Sequence, residues 1–176
     1  MTRTAPALAP LAAPTDTDFA ALCALLRDAV EGGASVGYLV PVRDAELQAF
    51  WTDTFAEVRA DRRVVLVARD AGRIVGSAQL GLATRPNSRH RAEVQKVLVL
   101  RSHRGRGLGT ALMQALEPAA RALGRTLLVL DTSATGNALG LYSRCGYTRA
   151  GVIPRFAGDP DGSLIDTVLF YKHLAP

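Results

Sequence analysis

The chain has 176 residues, of which 48% are hydrophobic and 21% are charged, and its formal net charge at pH 7 is +5. This length suits one domain with a buried core, and the composition excludes an intrinsically disordered chain. No apolar run approaches the roughly 20 residues that a membrane span needs. The positive charge is compatible with an anionic partner, or with arginines that simply cover a solvated surface.

The cysteines and histidines are too scattered in sequence to predict a metal site. Cys23 and Cys145 fit no ligand spacing, and His90, His103 and His173 form no cluster. The Ala- and Pro-rich start of the chain lacks the compact apolar segment of a signal peptide. We therefore expect a cytoplasmic protein that holds no metal.

Hydrophobic periodicity, glycines and β-branched runs divide the chain into alternating elements. Pro118 lies inside a predicted helix, so we expect a kink or an early end near it. Small residues from 131 to 136 predict a turn. The predicted order is a flexible tail over 1–14, helices over 15–31 and 44–60, strands over 64–68, 74–82 and 92–100, a helix over 106–123, a strand over 126–130, a helix over 137–144, and strands over 148–154 and 164–173.

This order predicts an α/β fold of the mixed-sheet, α+β kind. A β-meander that leads into a β-α-β-α-β unit gives a sheet with both antiparallel and parallel neighbours, flanked by helices. No internal repeat and no composition shift marks a boundary, so residues 15–176 are predicted to form a single domain.

The stretch from Glu93 to Thr110 combines a strand, a basic Gly-rich turn and the start of a helix. A helix N-terminus binds anions through its free amides and the positive end of its dipole. The segment Arg104-Gly105-Arg106-Gly107-Leu108-Gly109 lacks the Lys-Ser/Thr of a P-loop, and its glycine spacing is not that of dinucleotide-binding folds. Closely spaced glycines let the backbone close around a diphosphate, to which the arginines can add charge-assisted hydrogen bonds.

The pattern Arg104-x-x-Gly107-x-Gly109 after Val97-Leu98-Val99 resembles the acetyl-CoA signature of the GNAT superfamily of N-acetyltransferases. Segments 32–37, 92–96 and 130–132 are similar to the tabtoxin-resistance type within it. The resemblance implies the GNAT acyl-CoA N-acyltransferase fold, a central mixed sheet of six to seven strands flanked by about four helices. It also implies an enzyme that moves the acetyl group of acetyl-CoA to the amine of a small amino-acid-like molecule or antibiotic, by direct transfer in a ternary complex.

The same resemblance implies a donor site in which strand 97–99 pairs with the pantetheine arm like an added strand. Strands ending near Leu100 and Asp131 would splay around the thioester. The family often has Asn where this chain has Thr135, so Asn137, two residues later, is either a cofactor ligand or a helix N-cap. The residues implied for acetyl-CoA are Val97, Leu98, Val99, Arg104, Gly105, Arg106, Gly107, Leu108, Gly109, Thr110 and Asn137.

Acetyl transfer to an amine needs a base, a donor for the oxyanion and an acid for the departing thiolate. The resemblance implies Glu93 and Asp131 as catalytic carboxylates, Tyr142 as the acid and a strand amide near 98–99 as the oxyanion donor. The residues expected to bind the acceptor are Ser35, Tyr38, Glu93 and Asp131.

Structural interpretations stay open for each of these residues. Glu93 could be a strand carboxylate paired with an arginine, Asp131 a turn residue, and Tyr142 a core tyrosine. The glycines beside Ser35 and Tyr38 could simply end a helix.

Two other functions also stay open. A non-catalytic CoA sensor of the same fold is one, and a nucleic-acid-binding module is the other, although no aromatics interleave with the basic cluster for base stacking. We expect a small-molecule amine as the partner, with nucleic acid disfavoured, no membrane, and a homodimer compatible with the sequence. The basic cluster consists of Arg89, Arg91, Arg101, Arg104 and Arg106.

Overall fold

The computed structural model describes residues 6–135 and 138–175. Within them, a seven-stranded mixed sheet is flanked by four α-helices, so the predicted fold class is confirmed. None of the described helices is both long and apolar enough to cross a membrane. The elements in chain order are β1 (Ala7–Pro10), α1 (Asp16–Glu31), α2 (Asp44–Arg59), β2 (Arg63–Asp70), β3 (Arg73–Leu82), β4 (Arg91–Val99), α3 (Leu108–Ala122), β5 (Leu127–Ser133), α4 (Leu139–Arg144), β6 (Thr148–Gly158) and β7 (Leu164–His173).

The order of strands in the sheet is β1-β2-β3-β4-β5-β7-β6. Neighbouring strands are antiparallel except for β4 and β5, which are parallel and joined by the crossover helix α3. Their pairing covers only Arg91–Glu93 of β4 against Leu127–Val129 of β5. Beyond these residues the two strands part, and we call this opening the fork.

The two faces of the sheet carry separate hydrophobic cores. Leu112 and Leu116 of α3 are fully buried on one face, because they recur at helical spacing on one side of the helix. Leu22 and Leu26 of α1 and Trp51 of α2 are fully buried on the other face. Burial of each such side chain contributes about 2 kcal/mol, so both faces fix the helices that surround the fork.

A β-bulge in β4 changes which side chains point to which face. Ala78 of β3 stands opposite two residues, Lys96 and Val97, and Lys96 has a φ of 48°. This conformation costs a non-glycine residue about 1–3 kcal/mol. Val94 packs in the core under α3, whereas Leu98 packs in the core under α1 and α2. Regular alternation would place Lys96 with Val94, but the bulge turns its side chain towards the loop after α1 and towards α2.

The first strand corrects the prediction of a flexible tail over 1–14 at residues 7–10. Ala7–Pro10 pairs antiparallel with Leu66–Arg69 of β2, and the Leu11 amide donates a hydrogen bond to the Val65 carbonyl at 2.9 Å. Pro10 is tolerated because β1 is an edge strand, where one row of amides needs no partner. The segment lacks strand propensity and is ordered by the free edge of β2.

In the second half of the chain, the helix predicted over 106–123 does not end early at Pro118, and the turn predicted over 131–136 is wrong at residues 131–133. α3 continues past Pro118 to Ala122, because the buried residues Leu116 and Ala120 hold it on the sheet across the missing hydrogen bond. Residues 131–133 do not form a turn but extend β5, where they pair with Thr167–Leu169 of β7. In both places tertiary contacts override local propensity.

The edge strand β6 is longer than the predicted 148–154 and reaches Gly158. Its pairing with β7 is interrupted by two irregularities, and Pro154 lies in the second of them, between Ile153 and Ala157. A proline ends a central strand but is accommodated at a bulge or an edge. The extra residues bring the end of β6 to the loop that follows α1.

An ion pair joins α1 to the sheet. Arg69 donates two hydrogen bonds to the Asp18 carboxylate, at 2.7 and 2.9 Å, and these bonds lower the pKa of Asp18. The folded-state pKa is therefore below that of the unfolded chain, which is about 3.9. Such a pair contributes stability above the unfolded pKa and loses it as pH falls through the folded pKa.

We expect Asp18→Asn to lower the free energy of unfolding at pH 7 by about 1–3 kcal/mol, because it removes the charge from a largely buried, bidentate pair. Urea denaturation at pH 7 and at successively lower pH measures the effect, which should shrink once the pH falls below about 4. Glu31→Gln is the control, since Glu31 is an exposed residue of the same helix at 3.6 Å from Arg27. A loss that is the same at every pH would contradict the assignment.

Candidate active site

A cavity of about 1240 Å³ opens at the fork. Its walls are the loop after α1, the fork side of β4, the Gly-rich turn with the start of α3, and β5 with α4. Pockets for single small ligands measure roughly 300–1,000 Å³. The cavity therefore has room for a long ligand and a second molecule at once.

Most of the predicted site residues meet in this one cavity. Arg106 is an exception, because its guanidinium donates a hydrogen bond to the Ser102 carbonyl at 2.8 Å and does not line the cavity. Asn137 lies outside the described residues. The predicted residues that line the cavity are Ser35, Tyr38, Glu93, Val97, Leu98, Val99, Arg104, Gly105, Gly107, Leu108, Gly109, Thr110, Asp131 and Tyr142.

The Gly-rich turn and the start of α3 form one end of the cavity. Gly105 and Gly107 have φ values of 74° and 78°, which favour glycine, and Gly107 is the N-cap of α3. A Cβ at either glycine would meet no protein atom within 4 Å, so the space in front of the turn is free for a ligand. The amides of residues 108–110 have no acceptor within the helix and can bind an anion such as a diphosphate.

The edge of β4 leads from this turn to the fork. Beyond Glu93 it has no pairing with β5, so its backbone can pair with an extended ligand. The Val99 carbonyl accepts a hydrogen bond from Arg104 Nε at 3.1 Å. This bond holds the Arg104 side chain between the strand and the turn and leaves its terminal N–H groups for an anion.

Glu93 and Asp131 lie at the fork itself. Glu93 stands in register with Val129, and Asp131, two residues further along β5, points to the same face as Val129. Although Asp131 is open to the cavity, desolvation by the surrounding protein raises its pKa, and the negative charge of Glu93 raises it further. The positive charge of Lys96 acts in the opposite direction. Asp131 is thus a stronger base than an ordinary aspartate.

Tyr142 of α4 is a core residue and a cavity residue at once, so its packing in the core does not keep it from the site. It packs in the core, with its ring centroid 5.7 Å from that of Phe170, and it also lines the cavity. Burial raises the pKa of Tyr142 to about 12, with the Thr132 side chain opposing the shift. The phenol therefore keeps its proton at neutral pH and can donate a hydrogen bond.

The loop of residues 32–40 forms the wall opposite the carboxylates, and we call it the acceptor loop. The Ser35 hydroxyl donates a hydrogen bond to the Gly158 carbonyl at 3.2 Å, which ties the loop to the end of β6. Tyr38 packs edge-on against Phe50 of α2 at 6.1 Å between ring centroids. Both predicted residues help to build this wall, and the Ser35 proton is already engaged.

Lys96 is a cavity residue to which the sequence analysis assigned no role. Its ammonium donates a hydrogen bond to the Val36 carbonyl at 2.9 Å and lies 5.3 Å from the centroid of the Phe50 ring. The signal in the sequence is a lysine directly before the apolar run over 97–100. Within the described part of the chain, no group of three or more His, Cys, Asp or Glu residues could hold a metal ion.

We expect Glu93→Gln to lower the pKa of Asp131, because the substitution removes the negative charge of Glu93, which raises that pKa, and keeps the size of the side chain. An NMR titration of the carboxyl carbons measures this pKa in both proteins. Glu31→Gln, at an exposed site on α1, should leave the Asp131 titration unchanged. An unchanged Asp131 titration in Glu93→Gln would show that the two carboxylates are not coupled.

Comparison with known proteins identifies the family of this chain. The model of the acetyltransferase (GNAT) family matches residues 20–147. An L-methionine sulfoximine/L-methionine sulfone acetyltransferase from Pseudomonas aeruginosa is 34% identical over 163 residues, which are 90% of this chain and 91% of that protein. A protein of the same description from Pseudomonas paraeruginosa is 32% identical over 90% of this chain and 91% of its own.

Solved structures share the fold. The crystal structure of a ribosomal-protein-alanine N-acetyltransferase from Brucella melitensis is 25% identical, with a TM-score of 0.79 over 96% of this chain and 99% of that one. A phosphinothricin acetyltransferase from Sinorhizobium meliloti in complex with acetyl-CoA has a TM-score of 0.80 at 19% identity, over 98% of this chain and 90% of that one. The family model matches most of the length of this chain, which therefore belongs to the GNAT family of N-acetyltransferases.

Proposed function

We propose that this protein transfers the acetyl group of acetyl-CoA to the amino group of an amino acid or amino-acid-like small molecule. One observation carries the proposal: a single cavity joins an anion-binding turn, an unpaired strand edge and two carboxylates. A donor bound along that edge would present its thioester at the fork, beside Glu93 and Asp131. An acceptor would enter from the side of the acceptor loop.

The donor end fits acetyl-CoA, which supplies an activated acetyl group when bound. The amides of residues 108–110 and the open space before Gly105 and Gly107 suit the diphosphate. Arg104 can add a charge-assisted hydrogen bond through its free N–H groups. The unpaired edge of β4 over residues 97–99 suits the amide groups of the pantetheine arm.

The carboxylates supply the base that an amine acceptor needs. An ammonium ion is attracted to two negative charges at the fork, and it must lose a proton before its nitrogen can attack a thioester. The raised pKa of Asp131 makes proton transfer to that residue more favourable than transfer to an ordinary aspartate. Glu93 shares the binding of the ammonium, and the proton passes to either carboxylate directly or through water.

The remaining charges of the reaction are stabilised by donors on β4 and α4. A β4 amide between Leu98 and Val99 would donate a hydrogen bond to the oxyanion. The Tyr142 phenol, with its pKa of about 12, is a weaker acid than a thiol, whose pKa is about 8.5. Complete proton transfer to the departing sulfur is uphill, so we assign Tyr142 a hydrogen bond to the thiolate as its main contribution.

The acceptor class follows from the relatives and from the charges at the fork. The Pseudomonas aeruginosa relative is described as acting on methionine sulfoximine and methionine sulfone, and it shares 34% identity across nearly the whole of both chains. Both compounds are amino acids with a free amino group. An acceptor of that kind, including an amino-acid-like antibiotic, suits the paired carboxylates Glu93 and Asp131.

A small-molecule partner is favoured over nucleic acid. Arg101 donates a hydrogen bond to the Asp28 carboxylate at 2.8 Å, and Arg104 and Arg106 donate to backbone carbonyls. These three members of the basic cluster are therefore partly engaged within the protein.

The unpaired thiols Cys23 and Cys145 suit a reducing compartment such as the cytoplasm.

A homodimer would cover the largest exposed apolar side chains of β6, β7 and the acceptor loop. Exposed apolar surface in one region is typical of an interface with another protein. Light scattering after gel filtration measures the mass in solution. The side chains in this region are Leu39, Val40, Val152, Ile153, Phe156 and Leu164.

We expect Gly107→Glu to weaken acetyl-CoA binding by about a hundredfold or more, because it places a negative charge against the diphosphate. Gly124→Glu is the matched control. Gly124 follows the other end of α3, has a similar φ of 68° and likewise has open space around it. Both variants place a side chain at a similar positive φ, so a difference in affinity by calorimetry reports the position of the charge. Parent-like affinity of Gly107→Glu would overturn the donor site.

We expect thiol release from acetyl-CoA with amino acids and their analogues, methionine sulfoximine among them, and none with their N-acetylated forms, which lack the free amino group that attacks the thioester. Mass spectrometry of the N-acetylated product confirms the transfer.

Glu93→Gln should lower turnover about tenfold or more while acetyl-CoA affinity stays at the parent's value. Acetyl-CoA binding without thiol release for any acceptor would favour the non-catalytic sensor instead.

A further inference from the structure

Lys96 connects the two sides of the acceptor end of the cavity. Its backbone belongs to β4, which also carries Glu93, and its ammonium donates a hydrogen bond to the Val36 carbonyl of the acceptor loop at 2.9 Å. The same ammonium lies 5.3 Å from the centroid of the Phe50 ring, a distance at which a cation is attracted to the ring face. One side chain thus joins the sheet, the acceptor loop and α2.

The backbone at Lys96 is shaped for this connection. Its φ of 48° lies inside a strand, as does the φ of 52° of Arg155 at the second irregularity of β6, whereas Asp61 and Ala71, which share this region of φ, lie in turns. The Lys96 carbonyl accepts a hydrogen bond from the Ser77 hydroxyl at 3.4 Å, which holds the bulge. Strained residues of this kind persist where the surroundings hold them, and they concentrate at functional sites.

The residue type is also informative. Of the 21 cationic side chains of the chain, only Lys96 and Lys172 are lysines. Lys172 also lies between a carbonyl and a ring, outside the cavity: it donates a hydrogen bond to the Cys145 carbonyl at 2.7 Å and lies 5.8 Å from the centroid of the Tyr147 ring. Unlike Lys96, it also forms an ion pair with a carboxylate, that of Glu117. A compact ammonium fits between a carbonyl and a ring, where a planar guanidinium needs more space.

The charge of Lys96 acts on both carboxylates without occupying them. The positive charge of Lys96 opposes the rise in the pKa of Asp131. Burial and the repulsion of Arg63 lower the pKa of Lys96 itself. The negative charges of Asp131 and Glu93 act against that lowering, because they favour the charged lysine. Among the described residues, no ion pair within 4 Å joins Lys96 to a carboxylate. The charged and titratable groups around this cluster are Tyr38 of the acceptor loop, Glu57 of α2, Arg63 of β2, Glu93 of β4, Asp131 of β5 and Tyr142 of α4.

We propose that Lys96 is a positioning residue for acetyl transfer, which holds the acceptor loop against the sheet and balances the charge of Glu93 and Asp131. The inference rests on the proposed function, because it concerns the carboxylates that serve the acceptor. A cation nearby lets two carboxylates stay ionised together, which their mutual repulsion opposes. Because the ammonium donates to Val36, the carboxylate oxygens remain available to the ammonium of the acceptor.

Three substitutions separate the charge of Lys96 from its hydrogen bond. Lys96→Met removes both, Lys96→Gln keeps a donor for the Val36 carbonyl without the charge, and Lys96→Arg keeps the charge. We expect the pKa of Asp131, measured by NMR, to rise in Lys96→Met and Lys96→Gln and to stay near the parent's value in Lys96→Arg. The acid limb of kcat/KM should move to higher pH in the same two variants, because a carboxylate with a higher pKa ionises at higher pH.

The hydrogen bond to the acceptor loop should appear in the KM for the acceptor. We expect KM to rise about tenfold in Lys96→Met, and less in Lys96→Gln, because the amide can still donate to Val36. Lys172→Met is the control for loss of a lysine held by a carbonyl and a ring outside the cavity. It should lower stability, in part because it also breaks the ion pair with Glu117, but leave the Asp131 titration and the acid limb unchanged. Acetyl-CoA affinity should stay at the parent's value in all four variants.

Two results would overturn the proposal. One is an unchanged Asp131 pKa in Lys96→Met that is folded by circular dichroism, and the other is an equal shift in Lys172→Met. The NMR titration needs no substrate, so it tests Lys96 even if the parent protein acetylates no acceptor. A parent protein that acetylates no acceptor would contradict the proposed function but not the electrostatic role of Lys96.

Discussion

The site depends on the place where the parallel pairing of β4 and β5 stops. Ligands of open α/β sheets bind at the carboxyl ends of parallel strands, where neighbouring strands diverge. Here the divergence begins directly after Glu93 and Val129. Each of the two strands stays fixed on its other side, β4 by antiparallel pairing with β3 and β5 by pairing with β7. The fork can therefore remain open without loss of order in either strand.

An open fork leaves backbone groups of β4 without strand partners inside the protein. Unpaired backbone groups are costly when they are removed from water, and a ligand with amide groups of its own can satisfy them. The start of α3 stands at the far end of the same edge, where its first amides also lack acceptors. The same feature of the topology thus provides binding for an extended arm and for an anion beyond it.

Local signals in the sequence were sufficient for much of the fold. α1 begins within one residue of the predicted start at 15, with Thr15 as its N-cap, and β2 and β3 form where strands are predicted over 64–68 and 74–82. The errors arise where a partner distant in sequence determines the outcome. Ala7–Pro10 becomes a strand because β2 offers a free edge, and residues 131–133 stay extended because β7 pairs with them. No property of those short segments alone indicates either pairing.

The site residues divide in the same way. The glycine pattern identified the turn and the helix start, because spacing along the chain fixes that geometry. Arg104 and Arg106 look alike in sequence, yet only Arg104 lines the cavity, since each guanidinium finds a different carbonyl. Lys96 could not be placed by alternation, which assigns it to the face covered by α3. Only the bulge, a feature of the pairing between β3 and β4, brings it to the carboxylates.

Burial acts on two groups of the cavity with opposite chemical consequences. It raises the pKa of Asp131, and a raised pKa makes a carboxylate a better acceptor of the proton that an amine must lose. It also raises the pKa of Tyr142, and a raised pKa makes a phenol a weaker acid that keeps its proton and donates a hydrogen bond. One environment thus favours a base for the attacking nitrogen and a neutral donor for the departing sulfur, without a change of protonation at the tyrosine.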